Sequence, residues 1–127
     1  MMHTLDLIRA YVERLEARDW DGLADVLHPD VVYRLPQTRE VVRGRETYVR
    51  WNREYPDIWH LRLVEAYANE TGGAARLEVA VEGEEEPVPA LVFVRVVGGL
   101  LAEITDYWPT PYEPPSRPPN LAQREPR

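Results

Sequence analysis

From Thr4 to Arg18 the apolar residues Leu5, Ile8, Tyr11, Val12 and Leu15 recur at three- and four-residue spacing, while Arg9, Glu13, Arg14, Glu16 and Arg18 fill the remaining positions. That period gathers the apolar set on one stripe and predicts an amphipathic helix capped by Thr4. Asp19 offers a cap for a second, shorter helix with Trp20, Leu23, Ala24, Val26 and Leu27 on its apolar side, closed by Pro29 and Asp30. Val31 to Pro36 is rich in β-formers, and a period of two puts Val31, Tyr33 and Leu35 on one face with Arg34 on the other. Gly44 marks a turn, Glu46 suits a first helical turn, and Tyr48, Trp51, Asn52 and Tyr55 recur at helical spacing until Pro56 stops them.

Beyond Trp59 the pattern changes to runs that alternate or are continuously apolar: "WHLRLVEAYA", "AARLEVAVEG", "VPALVFVRVV" and "LLAEITDYW". They are separated by Asn69-Glu70-Thr71-Gly72-Gly73, by a glutamate-rich segment and by Gly98-Gly99, three hairpin-type connections. The order helix, helix, strand, helix, then a four-stranded antiparallel meander predicts an α+β fold whose helices cover one face of a curved sheet. The folded domain is expected over residues 1–108, and residues 109–127, which hold seven of the 12 prolines, form a proline-rich tail. Trp108, Pro109, Pro111 and Tyr112 give that tail rigid and aromatic anchors, so its first part, to about Pro115, is expected to pack across the domain or a partner subunit.

Composition narrows the chemistry. The chain has no cysteine and no lysine, which removes disulfides, thiolate nucleophiles, thiolate zinc sites, Schiff-base chemistry and a P-loop lysine. The single serine, Ser116, lies among the tail prolines, an unfit place for a hydrolase nucleophile. A formal charge of −7 argues against nucleic acid as a partner. Part of that charge sits at Glu82, Glu84, Glu85 and Glu86, a solvated hairpin tip. No apolar run reaches the length of about 18 residues that a membrane span needs, and an acidic residue at Asp6 does not suit a signal peptide, so a soluble cytoplasmic protein is expected. His3, His28 and His60 share no ligand spacing, so neither a metal nor another cofactor is expected. His28, before Pro29, is explained by the dipole of the helix it ends.

The order of elements, with "YVERLEARDWDGLADVLHPDVVYRLP" followed by "VRGRETYVRW", resembles the nuclear transport factor 2-like superfamily and in particular its SnoaL-like members, over roughly residues 4 to 108. The resemblance implies a cone-shaped barrel with three N-terminal helices packed on a strongly curved, mainly antiparallel sheet. It also implies an interior pocket that relatives use for isomerase, cyclase, dehydratase or epoxide-hydrolase chemistry, or for binding alone. Aligned with ketosteroid isomerase, "AYVERL" places the pocket tyrosine of that enzyme on Tyr11. The same alignment puts its general-base aspartate at Leu35 in "RLP" and its protonated oxyanion-hole aspartate near Val92 in "ALVFV", so steroid isomerisation is not expected.

With those acids missing, the alternation Ile104, Asp106, Trp108 makes Asp106 the acid expected inside the cone, where Trp108, Tyr33, Tyr11 and Trp51 would desolvate it and raise its pKa. The competing reading leaves Asp106 partly wet at a strand end, where it satisfies a backbone donor or pairs with an arginine such as Arg34 or Arg43. Candidate catalytic residues are Asp106, Tyr11, Tyr33 and, if a strand-end bend turns it inward, His60. Candidate ligand-binding residues are Tyr11, Tyr33, Trp51, Tyr55, Trp59 and Trp108, whose polar tips suit a flat or alicyclic molecule bearing a carbonyl or hydroxyl. On the opposite sheet face, Leu91, Phe93, Glu103, Thr105 and Tyr107 are too apolar for free exposure, and the resemblance implies a homodimer through that face. Three functions stay open: a cofactor-independent cyclase, isomerase or dehydratase, a non-catalytic small-molecule-binding domain, and a structural dimer whose cone is filled by its own side chains or tail.

Overall fold

The amphipathic stripe near the N-terminus folds as α1 (Thr4–Glu16). In the computed structural model, which describes residues 2–126, it is followed by α2 (Trp20–Asp25), β1 (Leu27–Leu35), β2 (Glu40–Arg43), α3 (Arg45–Arg53), β3 (Trp59–Ala68), β4 (Gly72–Val81), β5 (Val88–Val97) and β6 (Leu100–Tyr107). Met1 and Arg127, the outer ends of the two expected segments, lie outside the described residues. The six strands form one sheet in the order β2-β1-β6-β5-β4-β3. All neighbours are antiparallel except β1 and β6, which run parallel. The α+β architecture, the three helices, the mainly antiparallel curled sheet and the meander from β3 to β6 are as the pattern predicts.

Four local features differ, each for a physical reason. Thr4 is not the cap of α1; His3 holds that position without a side-chain bond, and Thr4 is buried inside the first turn. The second helix stops at Asp25, and β1 starts at Leu27 and passes through His28, Pro29 and Asp30. Its pairing to β6 shifts register between Leu27 and Val32. That irregularity accommodates Pro29, which has no N–H to give to a ladder. His28 is therefore a strand residue, and its Nδ1 accepts a hydrogen bond from the Asp30 amide at 3.0 Å. The added strand β2 is four residues long and pairs with β1 through Val32↔Arg43 to Leu35↔Glu40.

Asp19 does cap α2, its Oδ1 accepting from the Gly22 amide at 3.0 Å. The Gly98-Gly99 turn has positive φ at both residues, 61° and 77°, the geometry that joins tightly twisted antiparallel strands and that glycine adopts without a Cβ clash.

The core lies between the inner sheet face and the helices. Leu7, Ile8, Tyr11, Val12 and Leu15 of α1, Leu23 of α2, and Leu77, Val79, Val92, Val94 and Ile104 of the sheet are all buried. The outer face carries Phe93 and Tyr107, 49% and 38% exposed, their rings edge to face at 5.8 Å. Residues 109–126 have no regular structure and are exposed throughout. Tyr112 is 83% exposed, so in the single chain the expected docking of the tail on its own domain is not seen. Among the described residues no helix is long and apolar enough to cross a membrane.

Candidate functional site

The site is assembled by the parallel pairing of β1 with β6. Tyr33 pairs with Ile104, and Asp106, two residues further along β6, lies on the same face because strand side chains repeat every second residue. The Tyr33 hydroxyl donates to Asp106 Oδ2 at 2.8 Å. Asp106 also pairs across with Val92 of β5, the position where the resemblance places the oxyanion-hole acid of ketosteroid isomerase. The late acid on β6 thus stands beside the site of the missing one.

These residues open on a cavity of about 290 Å³ between the sheet and the helices. Tyr11 of α1 and Tyr48 of α3 meet at its base, their hydroxyls hydrogen-bonded at 2.5 Å. Tyr48 stacks on Tyr33, centroids 4.8 Å apart, and Tyr33 leads to Trp51 and then Tyr55, at centroid distances of 6.3 Å and 6.2 Å. This aromatic run goes from the buried floor at Tyr48 to the half-exposed Tyr55. Trp59, Trp108, Leu35, Asn52 and Val92 complete the wall, with Gln37, Thr38 and Asp57 also on it. Asn52 is held by its side-chain amide, which donates to the Tyr48 carbonyl at 2.9 Å. Arg18 covers Trp59, its guanidinium 3.7 Å from the ring centroid, which fixes the indole in place.

Burial sets the electrostatics. Desolvation raises the Asp106 pKa above its ordinary 3.8, and the hydrogen bond from Tyr33 opposes the rise. The nearby Trp108 indole works in the same direction as Tyr33, without completing the geometry of a hydrogen bond. Among the described residues, Asp106 Oδ1 is the buried side-chain oxygen left without a partner. Burial likewise raises Tyr11, Tyr33 and Tyr48 far above the usual tyrosine value, so all three are neutral donors at physiological pH. The Tyr11–Tyr48 pair uses one of its two hydroxyl protons internally, which leaves the other for a guest in the cavity. Asp106, with its unpartnered oxygen, and the Tyr11–Tyr48 pair, with one hydroxyl proton not used within the pair, thus belong to the wall of the same cavity.

Of the sequence candidates, Asp106, Tyr11, Tyr33, Trp51, Tyr55, Trp59 and Trp108 all line this one cavity. His60 does not. Strand alternation turns it to the other face of β3, where its imidazole lies 3.4 Å from Glu16 and 3.8 Å from Glu82, so its position gives no support to a base role in the cavity. Nor is Asp106 ion-paired with Arg34 or Arg43 among the described residues: its hydrogen-bond partner is Tyr33, and Arg34 sits 3.5 Å from Glu103 on the outer face. Among the wall residues that were not candidates from sequence are two on α3, Tyr48 and Asn52. Their helical spacing with Trp51 and Tyr55 was the available signal. Among the described residues, no three histidine, aspartate or glutamate side chains come together as a metal site.

A cone of helices on a curled sheet, with an acid and tyrosines inside, defines an NTF2-like protein. The family model described as "SnoaL-like domain" matches residues 8–104, and the chain belongs to that family. It is similar to the crystal structure of a "putative ketosteroid isomerase" from Kribbella flavida DSM 17836, with 38% identity, TM-score 0.90, and 98% of this chain and 90% of that chain covered. It also shares the fold of an NTF-2 like protein of unknown function from Burkholderia xenovorans LB400, at 17% identity and TM-score 0.77, over 95% of this chain and 94% of that one. A 50-residue stretch is 42% identical to NAD(P)H-quinone oxidoreductase subunit O of Synechococcus sp. (strain CC9605), covering 39% of this chain and 55% of that protein. The match thus spans about half the length of that curated relative.

Proposed function

We propose that the cavity binds a small organic molecule and that Asp106 moves a proton on it without a cofactor, in a reaction of the isomerase, cyclase or dehydratase kind. The observation that carries this reading is the Asp106 carboxylate, with one oxygen fixed by Tyr33 and the other buried and unpartnered at the cavity wall. A pKa raised by burial brings such a group toward the range useful for proton transfer near neutral pH. The Tyr11–Tyr48 pair supplies a neutral donor for the oxyanion that forms when a proton leaves the carbon beside a carbonyl. Similarity to the protein described as a "putative ketosteroid isomerase" supports the reaction type. The same chemistry on a steroid is not part of the proposal, because Leu35 and Val92 stand where the resemblance expects acids.

The test is a thermal-shift screen of small ketones, enones and alicyclic alcohols, followed by turnover and by solvent deuterium exchange into any hit. The proposal expects Asp106→Asn to abolish exchange while ligand stabilisation survives. Exchange unchanged in Asp106→Asn would refute proton transfer by this residue. A second reading is favoured by the same two apolar positions: with one interior acid where the isomerase has two, the domain binds its ligand and releases it unchanged. Hits that stabilise the wild type and show neither turnover nor exchange would establish that reading.

The chain is further proposed to work as a homodimer through the outer sheet face. The supporting observation is the exposed pair Phe93 and Tyr107, flanked by Leu91 and Thr105 on one side of the sheet.

A further inference from the structure

The polar groups of the cavity are unbalanced in charge. Of the described residues that line it, seven are tyrosine or tryptophan, two are aspartate, and none is arginine, lysine or histidine. Buried carboxylates ordinarily have a cationic or multiply hydrogen-bonded partner, yet Asp106 has one hydrogen bond, from Tyr33, and a buried oxygen with none. The nearby guanidiniums are engaged elsewhere, Arg34 with Glu103 and Arg18 with the Trp59 ring and its carbonyl oxygen.

We infer that the cavity selects small organic cations, a protonated amine or quaternary ammonium on a compact apolar frame, with Asp106 as counter-ion and the aromatic faces as the surrounding cage. This rests on the proposed ligand-binding role of the cavity and adds the charge of the ligand. Aromatic faces carry negative charge density and attract a desolvated cation, and Trp51, Tyr33 and Tyr55 present three rings in succession toward the mouth. The two cavity acids, Asp106 and Asp57, act with them. The negative field extends across the cavity, since the Asp106 charge adds to the rise of Tyr11, Tyr33, Tyr48 and Tyr55 by opposing a second anion. A carboxylate or phosphate guest meets that same opposition. A volume of about 290 Å³ is at the small end of ligand sites, which fits a compact ammonium compound.

Three probes of one shape separate charge from fit: choline, its neutral isostere 3,3-dimethylbutan-1-ol, and the anion 3,3-dimethylbutanoate. Binding is followed at neutral pH and low salt by the indole N–H signals of the four tryptophans. Trp51, Trp59 and Trp108 line the cavity, and Trp20, which does not, is the internal control. Choline is expected to bind about tenfold more tightly than the alcohol, with the anion giving no shift. In Asp106→Asn the choline preference is expected to fall by about tenfold while alcohol binding persists, which also shows that the variant is folded. Equal binding of choline and alcohol, a bound anion, or a preference untouched by Asp106→Asn overturns the inference and leaves the cavity as a neutral-ligand site. Silence of all three cavity indoles to every probe overturns the inference together with the binding reading beneath it.

Discussion

Replacing Tyr33 with phenylalanine removes one hydroxyl and leaves the ring, so its stack on Tyr48 at 4.8 Å is retained. What is lost is the 2.8 Å hydrogen bond to Asp106 Oδ2, after which neither carboxylate oxygen has a hydrogen-bond partner among the described residues. A hydrogen bond to an ionised group contributes about 1.5–3 kcal/mol and one between neutral groups about 0.5–1.5 kcal/mol, so the loss depends on whether Asp106 is charged. Burial has already raised the folded Asp106 pKa above 3.8, and Tyr33 is an influence that lowers it, so the variant rises further. Between the unfolded and folded pKa values the folded chain binds more protons than the unfolded one, and stability therefore falls as pH rises through that window and is level above it. For Tyr33→Phe the window extends to higher pH. The deficit of the variant relative to wild type should thus widen with pH, from about 0.5–1.5 kcal/mol on the acid side of the Asp106 titration to about 1.5–3 kcal/mol on its alkaline side. Urea unfolding followed by tryptophan fluorescence at several pH values reads this directly. In an Asp106→Asn background the deficit should lose its pH dependence. A deficit that is constant with pH, or that widens toward acid, would refute the account of Asp106 as a buried ionised group held by Tyr33.

Three further outcomes follow from the packing. Ile104 is 0% exposed, and Ile104→Ala should destabilise the fold by about 2–5 kcal/mol in the same urea assay. His60→Ala, on the outer side of β3 between Glu16 and Glu82, should change stability by no more than about 0.5 kcal/mol, and calorimetry should find ligand affinity at the cavity unaltered. Phe93→Arg places a charge on the half-exposed outer face and should convert a wild-type dimer to a monomer by light scattering; a wild type that is already monomeric at micromolar concentration would remove the dimer from the account.

The inner side of β6 could be read from the sequence because a strand's period of two is rigid: once "LLAEITDYW" is a strand, Ile104, Asp106 and Trp108 share a face. The partner of Asp106 could not be read so. The hydrogen bond to Tyr33 joins residues 73 apart and depends on β1 lying parallel to β6, a pairing that neither strand's own pattern encodes. Arginine at 34 and 43 offered a simpler partner by charge alone, and the pleat that brings Tyr33 inward sends Arg34 out to Glu103. The start of β1 is not legible in the sequence because Pro29 reads as a helix stop and a strand breaker, whereas it sits where the register shifts. With four residues, β2 is too short for a periodicity to stand out. Tyr48 is legible in the sequence only as a residue at helical spacing with Trp51 and Tyr55, and the convergence of α1 with α3 makes its hydroxyl a partner of Tyr11. Of the tail's two aromatic anchors, Trp108 packs into the cavity wall, whereas Tyr112 is exposed and makes no such contact with its own domain.

The central claim is that a small molecule occupies the cavity against Asp106 and the tyrosine pair. A crystal structure of the chain with the compound that stabilises it most tests that claim directly. The account predicts density between Trp51 and Trp108, with a polar atom of the compound in hydrogen-bond reach of Asp106 Oδ1 or of the Tyr11–Tyr48 hydroxyls. A compound seated on the outer face around Phe93 and Tyr107, with the cavity closed over by its own side chains, would contradict it.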